Sequence, residues 1–418
     1  MSKIIKEGIR RFDFEKKPIR PTFIMSLAKW IISWPDLKKR KFVLTKTNME
    51  DVKSPYLLLV THSSMVDFNI MLKATHPDAV NNVMTLEGFN TYTEPLMRSL
   101  GVLGTRKFIS DIHLIKNIKY CVTKLKTIFV LFPEARYSLD GCTSYLPESV
   151  GKLIRLLGVP VVVLRIHGNF VTCPQWNKIN KKTYVEAEMK CILTPEQTKS
   201  LSVSEINEIV KENFQYDDFR WQAEKKLSIP HPKRANGLHS LLYKCPACMA
   251  ESNTDSEGTM LWCNSCGKKW EMDEYGAMHA LEGETEFSHI PDWSNWERAC
   301  VREETENGTE FCLMGEGSLP VKDMMLALRS VNYDGFISLE WDPAWCEELD
   351  DMEIIFAQFV NFMKQYGDTS KNESALYYNR AHTGKYVWEK DRLIEATFSD
   401  VLDRMVEEFP DQYAFKYT

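Results

Sequence analysis

Three short apolar runs do most to decide what this chain can fold into: Tyr56–Val60, Ile128–Phe132 and Val159–Leu164. None shows the apolar–polar alternation of a strand with one wet face. Uninterrupted runs of strand length suit strands buried on both faces, which occur where helices cover a mostly parallel sheet. The stretches between them are amphipathic, as crossover helices require. Glu205–Phe214 reads as a further helix, with Ile206, Ile209, Val210 and Phe214 on one face. The fold class that follows is α/β, a mostly parallel buried sheet flanked by helices. A polar linker is expected around Pro230–Gly237, and 418 residues leave room for two or three domains.

Charge divides the chain more sharply than its net −6 suggests. Residues 1–270 carry 40 Lys/Arg against 26 Asp/Glu, a net of +14, and residues 271–418 carry 12 against 32, a net of −20. A basic front favours anionic partners such as acidic lipid or phosphorylated substrates. No apolar run reaches the roughly 18 residues of a membrane span, and the N-terminus lacks the apolar core of a secretory signal, so a cytoplasmic protein is expected. In the basic segment 1–45, Phe23, Ile24, Leu27, Trp30, Ile31 and Trp34 recur at three- and four-residue spacing, with Arg20, Lys29 and Lys38 to Lys41 around them. Two readings fit this stripe: a helix lying in the lipid interface with indoles at headgroup level, and an ordinary core-facing helix.

Directly after the first apolar run comes Thr61-His62-Ser63-Ser64-Met65-Val66-Asp67. A histidine there sits at the carboxyl edge of the sheet, where open α/β sheets bind ligands. An aspartate five residues on can fold back to one ring nitrogen once a turn begins at Ser63 or Ser64, leaving the other nitrogen to take a proton. After the second run comes Phe132-Pro133-Glu134-Ala135-Arg136, and between the two lies Gly101-Val102-Leu103-Gly104-Thr105-Arg106-Lys107, a glycine-spaced turn closing on two cations. Val159-Pro160-Val161 opens the third run.

These four blocks, in this order, resemble those of the glycerolphosphate and lysophosphatidic acid acyltransferase family: His-x4-Asp, a Gly/Arg block, Phe-Pro-Glu-Gly and a Val-Pro strand. The resemblance covers roughly residues 20–230. It implies an acyltransferase fold and transfer of a fatty acyl group, from acyl-CoA or an acyl-carrier-protein thioester, to the hydroxyl of a lysophospholipid such as 1-acylglycerol-3-phosphate. It also implies His62 as general base, Asp67 as its orienting partner, Arg106, Lys107 and Arg136 as grips on the acceptor's phosphate, and Glu134 as shaping that phosphate site. A peripheral place on the anionic inner face of the cell membrane goes with such an acceptor. Thr61 stands where the family often has asparagine, Ala135 replaces the usual glycine, and Tyr137 occupies the arginine position of the commonest form. The rival reading is a catalytically silent lipid-binding or scaffold protein of the same fold.

Cys245-Pro-Ala-Cys248 and Cys263-Asn-Ser-Cys266 are two Cys-x2-Cys pairs, each presenting two thiolates from one tight turn. Together they predict one closed, structural zinc site in a ribbon module, with Tyr243, Trp262, Gly267 and Trp270 fitting a small hairpin. A rubredoxin-type iron site and two unrelated thiol pairs are the alternatives. With few basic residues beyond Lys244, Lys268 and Lys269, the ribbon suits packing or protein contact, and no nucleic-acid partner is expected. The remaining seven cysteines read as free thiols.

The expected layout is a basic amphipathic segment 1–45, an acyltransferase domain 46–235, a zinc ribbon 238–275 and a helical docking segment 276–310. A mixed α/β tail follows as 311–367 and 368–418. The stretch through Asn332 to Pro343 resembles the closing strands of a xylose-isomerase-type barrel, with Glu340 at the position of a metal ligand. Leu376 to Phe415 resembles the opening of an acyl-adenylate-forming synthetase. One carboxylate cannot build the barrel's metal site, so the tail is expected to be a remnant of a neighbouring enzyme; a small accessory domain is the alternative.

Overall fold

The three apolar runs become adjacent strands. In the computed structural model the described residues are 12–13, 16–89, 92–105, 111–177, 179–308, 313–317, 319–330, 337, 339 and 352–366. A seven-stranded sheet is built from β1 (Val43–Thr47), β2 (Leu57–Val60), β3 (Val80–Thr85), β4 (Val102–Thr105), β5 (Ile128–Leu131), β6 (Val161–His167) and β7 (Glu186–Leu193). Their order is β1-β7-β6-β2-β5-β3-β4. Strand β2 lies at the centre, parallel to β5 through Leu57↔Phe129 and to β6 through Leu57↔Val161. Only the β6–β7 pairing is antiparallel within this sheet, so five strands run one way and β1 and β7 the other.

Alternate residues of the central strands feed two cores on opposite faces. Leu58, Val60, Val130, Val162 and Leu164 pack with Val66, Ile70 and Met71 of the Val66–Thr75 helix and Leu37 of the Phe23–Lys39 helix. Leu57, Leu59, Phe129, Val161 and Val163 pack with Ile118, Ile154, Ile206, Val210 and Phe214 from helices on the other side. The helix expected at Glu205–Phe214 runs Val203–Phe214, started by a capping box between Ser202 and Glu205.

Two sequence expectations change. The glycine-spaced segment after Gly101 is not all turn: Gly101, at φ +83°, makes the turn, and Val102–Thr105 is β4, paired in parallel with β3. A side chain at Gly101 would collide with Pro21, Val80 O and Asn81, so the position is closed to anything larger. The segment read as a linker is packed: Ile229, Ala235 and Leu238 are buried, Ala235 N donates to Gly258 O, and Asn177 Nδ2 donates to the carbonyls of Lys233 and Arg234. Its polar side chains bond inward as well: Arg234 Nε donates to Met272 O at 2.7 Å, and Asn236 Oδ1 accepts from Gly258 N at 2.6 Å.

What it joins is a four-stranded antiparallel sheet in the order β11-β10-β9-β8, from β8 (Thr254–Glu257), β9 (Met260–Cys263), β10 (Lys269–Met272) and β11 (Met278–Ala280). Its core is not its own. Trp270, Leu261 and Met278 share one buried cluster with Phe170 and Phe219 of the larger domain and with Ile290 and Trp293 of the Ile290–Gly308 helix. The chain divides into two compact units, Met1–Arg302 and Glu303–Thr418, and both sheets belong to the first. In the second, the helices Val321–Ser330 and Met352–Met363 meet through Met325, Phe359 and Met363. Glu340 and residues 368–418 lie outside the described residues.

The stripe helix is real, running Phe23–Lys39 from a Thr22 cap. Leu37 is buried against the sheet, while Phe23, Ile24, Ile31 and Trp34 are exposed. Lys73 Nζ lies over the Trp30 and Trp34 rings, 5.0 and 4.7 Å from their centroids, pinning this helix to Val66–Thr75. Among the described residues, no helix is long and apolar enough to cross a membrane.

Candidate active site

The chain leaves β2 at Val60, and the next seven residues make the site. Thr61 is buried and its Oγ1 accepts from Ile166 N at 3.0 Å, tying the strand end to β6. A turn through Ser63 and Ser64 then enters the Val66–Thr75 helix, with Asp67 in its first turn. Asp67 folds back on that turn. Its Oδ2 accepts from Ser63 N at 2.6 Å and Ser64 N at 3.0 Å and faces His62 Nδ1 at 3.1 Å. Its Oδ1 accepts from Asn169 Nδ2.

Three donors, Ser63 N, Ser64 N and Asn169 Nδ2, suit an ionised carboxylate, which accepts only, so the proton between the pair is assigned to His62 Nδ1. That leaves Nε2 as the basic nitrogen, and no described residue bonds it. The Asp67 side chain is fully buried, while the imidazole remains 21% exposed. A buried anion orienting a solvent-facing imidazole is the arrangement a general base needs.

Glu134 follows β5, and both its oxygens are occupied. Oε2 accepts from His62 N at 2.9 Å, and Oε1 accepts from Ser144 N at 2.6 Å and from Tyr216 Oη at 3.2 Å. Tyr216 in turn accepts from Ser63 Oγ at 3.3 Å. Burial pushes the Glu134 carboxyl up from its usual range, opposed by the two backbone N–H groups and the tyrosine hydroxyl. Burial, then the charge of Glu134, pushes the Tyr216 phenol up, so it stays a neutral donor. Glu134 therefore holds the His62 turn to the loop after β5.

Ala135 has φ +54°, the left-handed region where glycine costs nothing and alanine is strained. This is the conformational reason for a glycine in that block. Arg136 is exposed and makes no ion pair with a described residue. Tyr137 lies on the imidazole, ring centroids 4.1 Å apart, with Phe132 on it at 4.4 Å, and its hydroxyl donates to Met65 Sδ at 2.8 Å. Arg106 and Lys107 lie outside the described residues.

The structure thus brings His62, Asp67 and Glu134 into one network, with Arg136 two residues beyond Glu134. Sequence reading missed Asn169, Tyr137's contact with the His62 ring, and Tyr216. Asn169 follows the end of β6 at the same sheet edge, so the strand-end argument used for His62 also points to it. Tyr216 lies 82 positions from Glu134, with no local motif to mark it.

The four ribbon cysteines converge. Sγ atoms of Cys245, Cys248, Cys263 and Cys266 all lie within 4.8 Å of one another, with Cys245–Cys266 at 3.8 Å and Cys248–Cys263 at 3.7 Å. Disulfides need about 2.05 Å. A tetrahedron of metal–sulfur bonds of about 2.3 Å has edges of about 3.8 Å, so the four fit a single metal ion.

No family model matches the chain, and no curated protein matches it in sequence. Among solved structures, it is similar to the 1-acyl-sn-glycerophosphate (LPA) acyltransferase PlsC from Thermotoga maritima, over 45% of this chain and 78% of that one, at 16% identity and a TM-score of 0.35.

Proposed function

We propose that the protein transfers a fatty acyl group from a thioester, acyl-CoA or acyl-carrier protein, to the hydroxyl of a lysophospholipid. One observation carries this reading: a buried aspartate lies against His62 Nδ1 at the carboxyl edge of the central strand, in a ring that is 21% exposed and whose Nε2 has no partner among the described residues. The four ordered sequence blocks supply the substrate class. In the reaction, Nε2 takes the proton of the acceptor hydroxyl as its oxygen attacks the thioester carbonyl. The carbon–sulfur bond breaks, and the thiolate leaves with the proton from His62. No acyl-enzyme is required. Asp67 holds the tautomer and stabilises the imidazolium. Arg136, with Arg106 and Lys107, grips the acceptor phosphate.

The exposed apolar stripe of the Phe23–Lys39 helix and the basic first half of the chain fit docking on an anionic inner membrane face. The cysteine cluster holds zinc, for which a closed four-thiolate site is a structural arrangement.

The test is transfer from a long-chain acyl-CoA, and separately from acyl-carrier protein, to lysophosphatidic acid in mixed micelles. His62→Ala is expected to lose about 10²–10⁴-fold in kcat, with the fold unchanged by circular dichroism. Transfer that survives His62→Ala would reject His62 as the base. Lysolipid binding without transfer from either donor would establish the silent lipid-binding protein instead.

A further inference from the structure

Asn169 joins Asp67 from a different part of the fold than the rest of its partners. Strand β6 ends at His167, Gly168 turns the chain at φ +82°, and Asn169 opens the next short helix. The backbone on both sides of Asn169 is clamped by fully buried Asp218, whose Oδ2 accepts from Gly168 N at 3.1 Å and Phe170 N at 3.0 Å. Side chains other than glycine are excluded at 168 by Tyr184 O and the Trp221 ring. The Asn169 side chain is therefore delivered to one place.

That place is Asp67 Oδ1, to which Asn169 Nδ2 donates. Asn169 is fully buried, and its own Oδ1 is buried without a partner. Flipping the amide would set oxygen against carboxylate, so Asp67 fixes its orientation. A leucine of similar size would fill the space without the unpaired amide oxygen, but it would strip Asp67 Oδ1 of its donor. Packing alone does not account for an amide here, whereas the bond to Asp67 does.

We propose that Asn169 is a positioning residue for the His62–Asp67 pair. Its amide holds Asp67 Oδ1, so that Oδ2 alone turns toward the imidazole and the carboxylate's charge is shared between ring and amide. For its effect on turnover this rests on the acyl-transfer reading; for the coupling itself it does not. The other titratable groups around the pair are Glu134 and Tyr137 beside His62, Tyr216 behind Glu134, and Asp218 with His167 behind Asn169.

The experiment follows the ¹³C-labelled ring of His62 by NMR across pH in wild type, Asn169→Leu and Asn169→Asp, the signal being assigned by its loss in His62→Ala. With the amide gone, more of the Asp67 charge rests on the oxygen at the ring, which favours the imidazolium. In Asn169→Leu the His62 titration is expected to move up by about half a pH unit or more. Asn169→Asp places two carboxyls together in a buried site, where they hold one proton between them. The protonated form donates to Asp67 as the amide does, so transfer near neutrality stays within about threefold of wild type. It is then lost on the alkaline side, where wild type remains active.

A His62 titration unchanged in both variants, with only a lower melting temperature, would overturn the proposal and leave Asn169 as packing. Should Asn169→Leu fail to fold, the near-isosteric Asn169→Asp decides alone: loss of transfer confined to the alkaline side supports the proposal, and a wild-type pH profile overturns it. If wild type transfers no acyl group, the functional reading falls, and the titration still decides Asn169.

Discussion

Glu134 is buried, and three of the roughly four lone-pair sites of its carboxylate are taken by His62 N, Ser144 N and Tyr216 Oη. Holding the His62 turn to the loop after β5 is the contact it makes in the fold. Glu134→Gln replaces one acceptor by an NH2 that must face a backbone N–H. We expect a loss of about 1–3 kcal/mol in stability for the buried mismatch. Steady-state kinetics should show kcat falling while the acceptor KM stays within about twofold, the pattern of a lost positioning group. Arg136→Ala should do the reverse, raising the acceptor KM with kcat nearly kept. A Glu134→Gln variant that changes only KM would return Glu134 to the headgroup site. At this scale the sequence was legible where a residue sits just past a buried strand, as His62 and Glu134 do. It was silent where a partner arrives from afar, because Tyr216 precedes Asp217 in a stretch with no periodic or motif signal.

The ribbon shows the same contrast for elements. Its ligand spacing announces it, yet the spacing says nothing of what it leans on. The buried cluster that joins Trp270 and Trp293 to Phe170 and Phe219 makes it a wall of the larger domain. Trp293 Nε1 donates to Lys244 O beside Cys245, and Arg298 on the same helix reaches Asp140 at 2.7 Å. Asp140 lies in the loop that runs from Glu134 to Ser144. Removing the metal with a strong chelator should therefore lower the melting temperature of the whole first unit and red-shift tryptophan fluorescence. A structural zinc site supplies about 10–16 kcal/mol of binding energy in small modules. Elemental analysis should find one zinc per chain; one iron would identify the alternative site. A chelated protein whose sheet domain melts unchanged would show the ribbon to be independent. Among strands, the three apolar runs were readable because both faces are buried. Strand β3 was not, since Asn81 and Asn82 are buried within it: Asn81 Nδ2 bonds Gly101 O and its Oδ1 accepts from Thr127. Nor was β7, whose Glu186, Glu188 and Lys190 break the run on its outer side.

At the scale of the molecule, the Phe23–Lys39 helix and the Val66–Thr75 helix that carries Asp67 cover the same face of the sheet. Phe23, Ile24, Ile31 and Trp34 on the first are exposed, as are Met65 and Phe68 at the start of the second. A lipid surface meeting the first helix would thus lie on the sheet face that carries Asp67, the partner of His62. Vesicle co-sedimentation should show binding to anionic bilayers that weakens with salt. Ile24→Glu and Ile31→Glu should each reduce it by about tenfold or more, since each removes an apolar side chain from the interface. Binding untouched by both would mean that another surface meets the lipid. The strand order has a further consequence, in time rather than space. β1 ends at Thr47 and pairs with β7, which is complete only at Leu193. At about 5–20 residues per second of synthesis, β1 waits roughly 7–30 s for its neighbour. Its exposed Thr45 and Lys46 suit a strand that must stay soluble through that interval, because a charged edge resists pairing with a stranger.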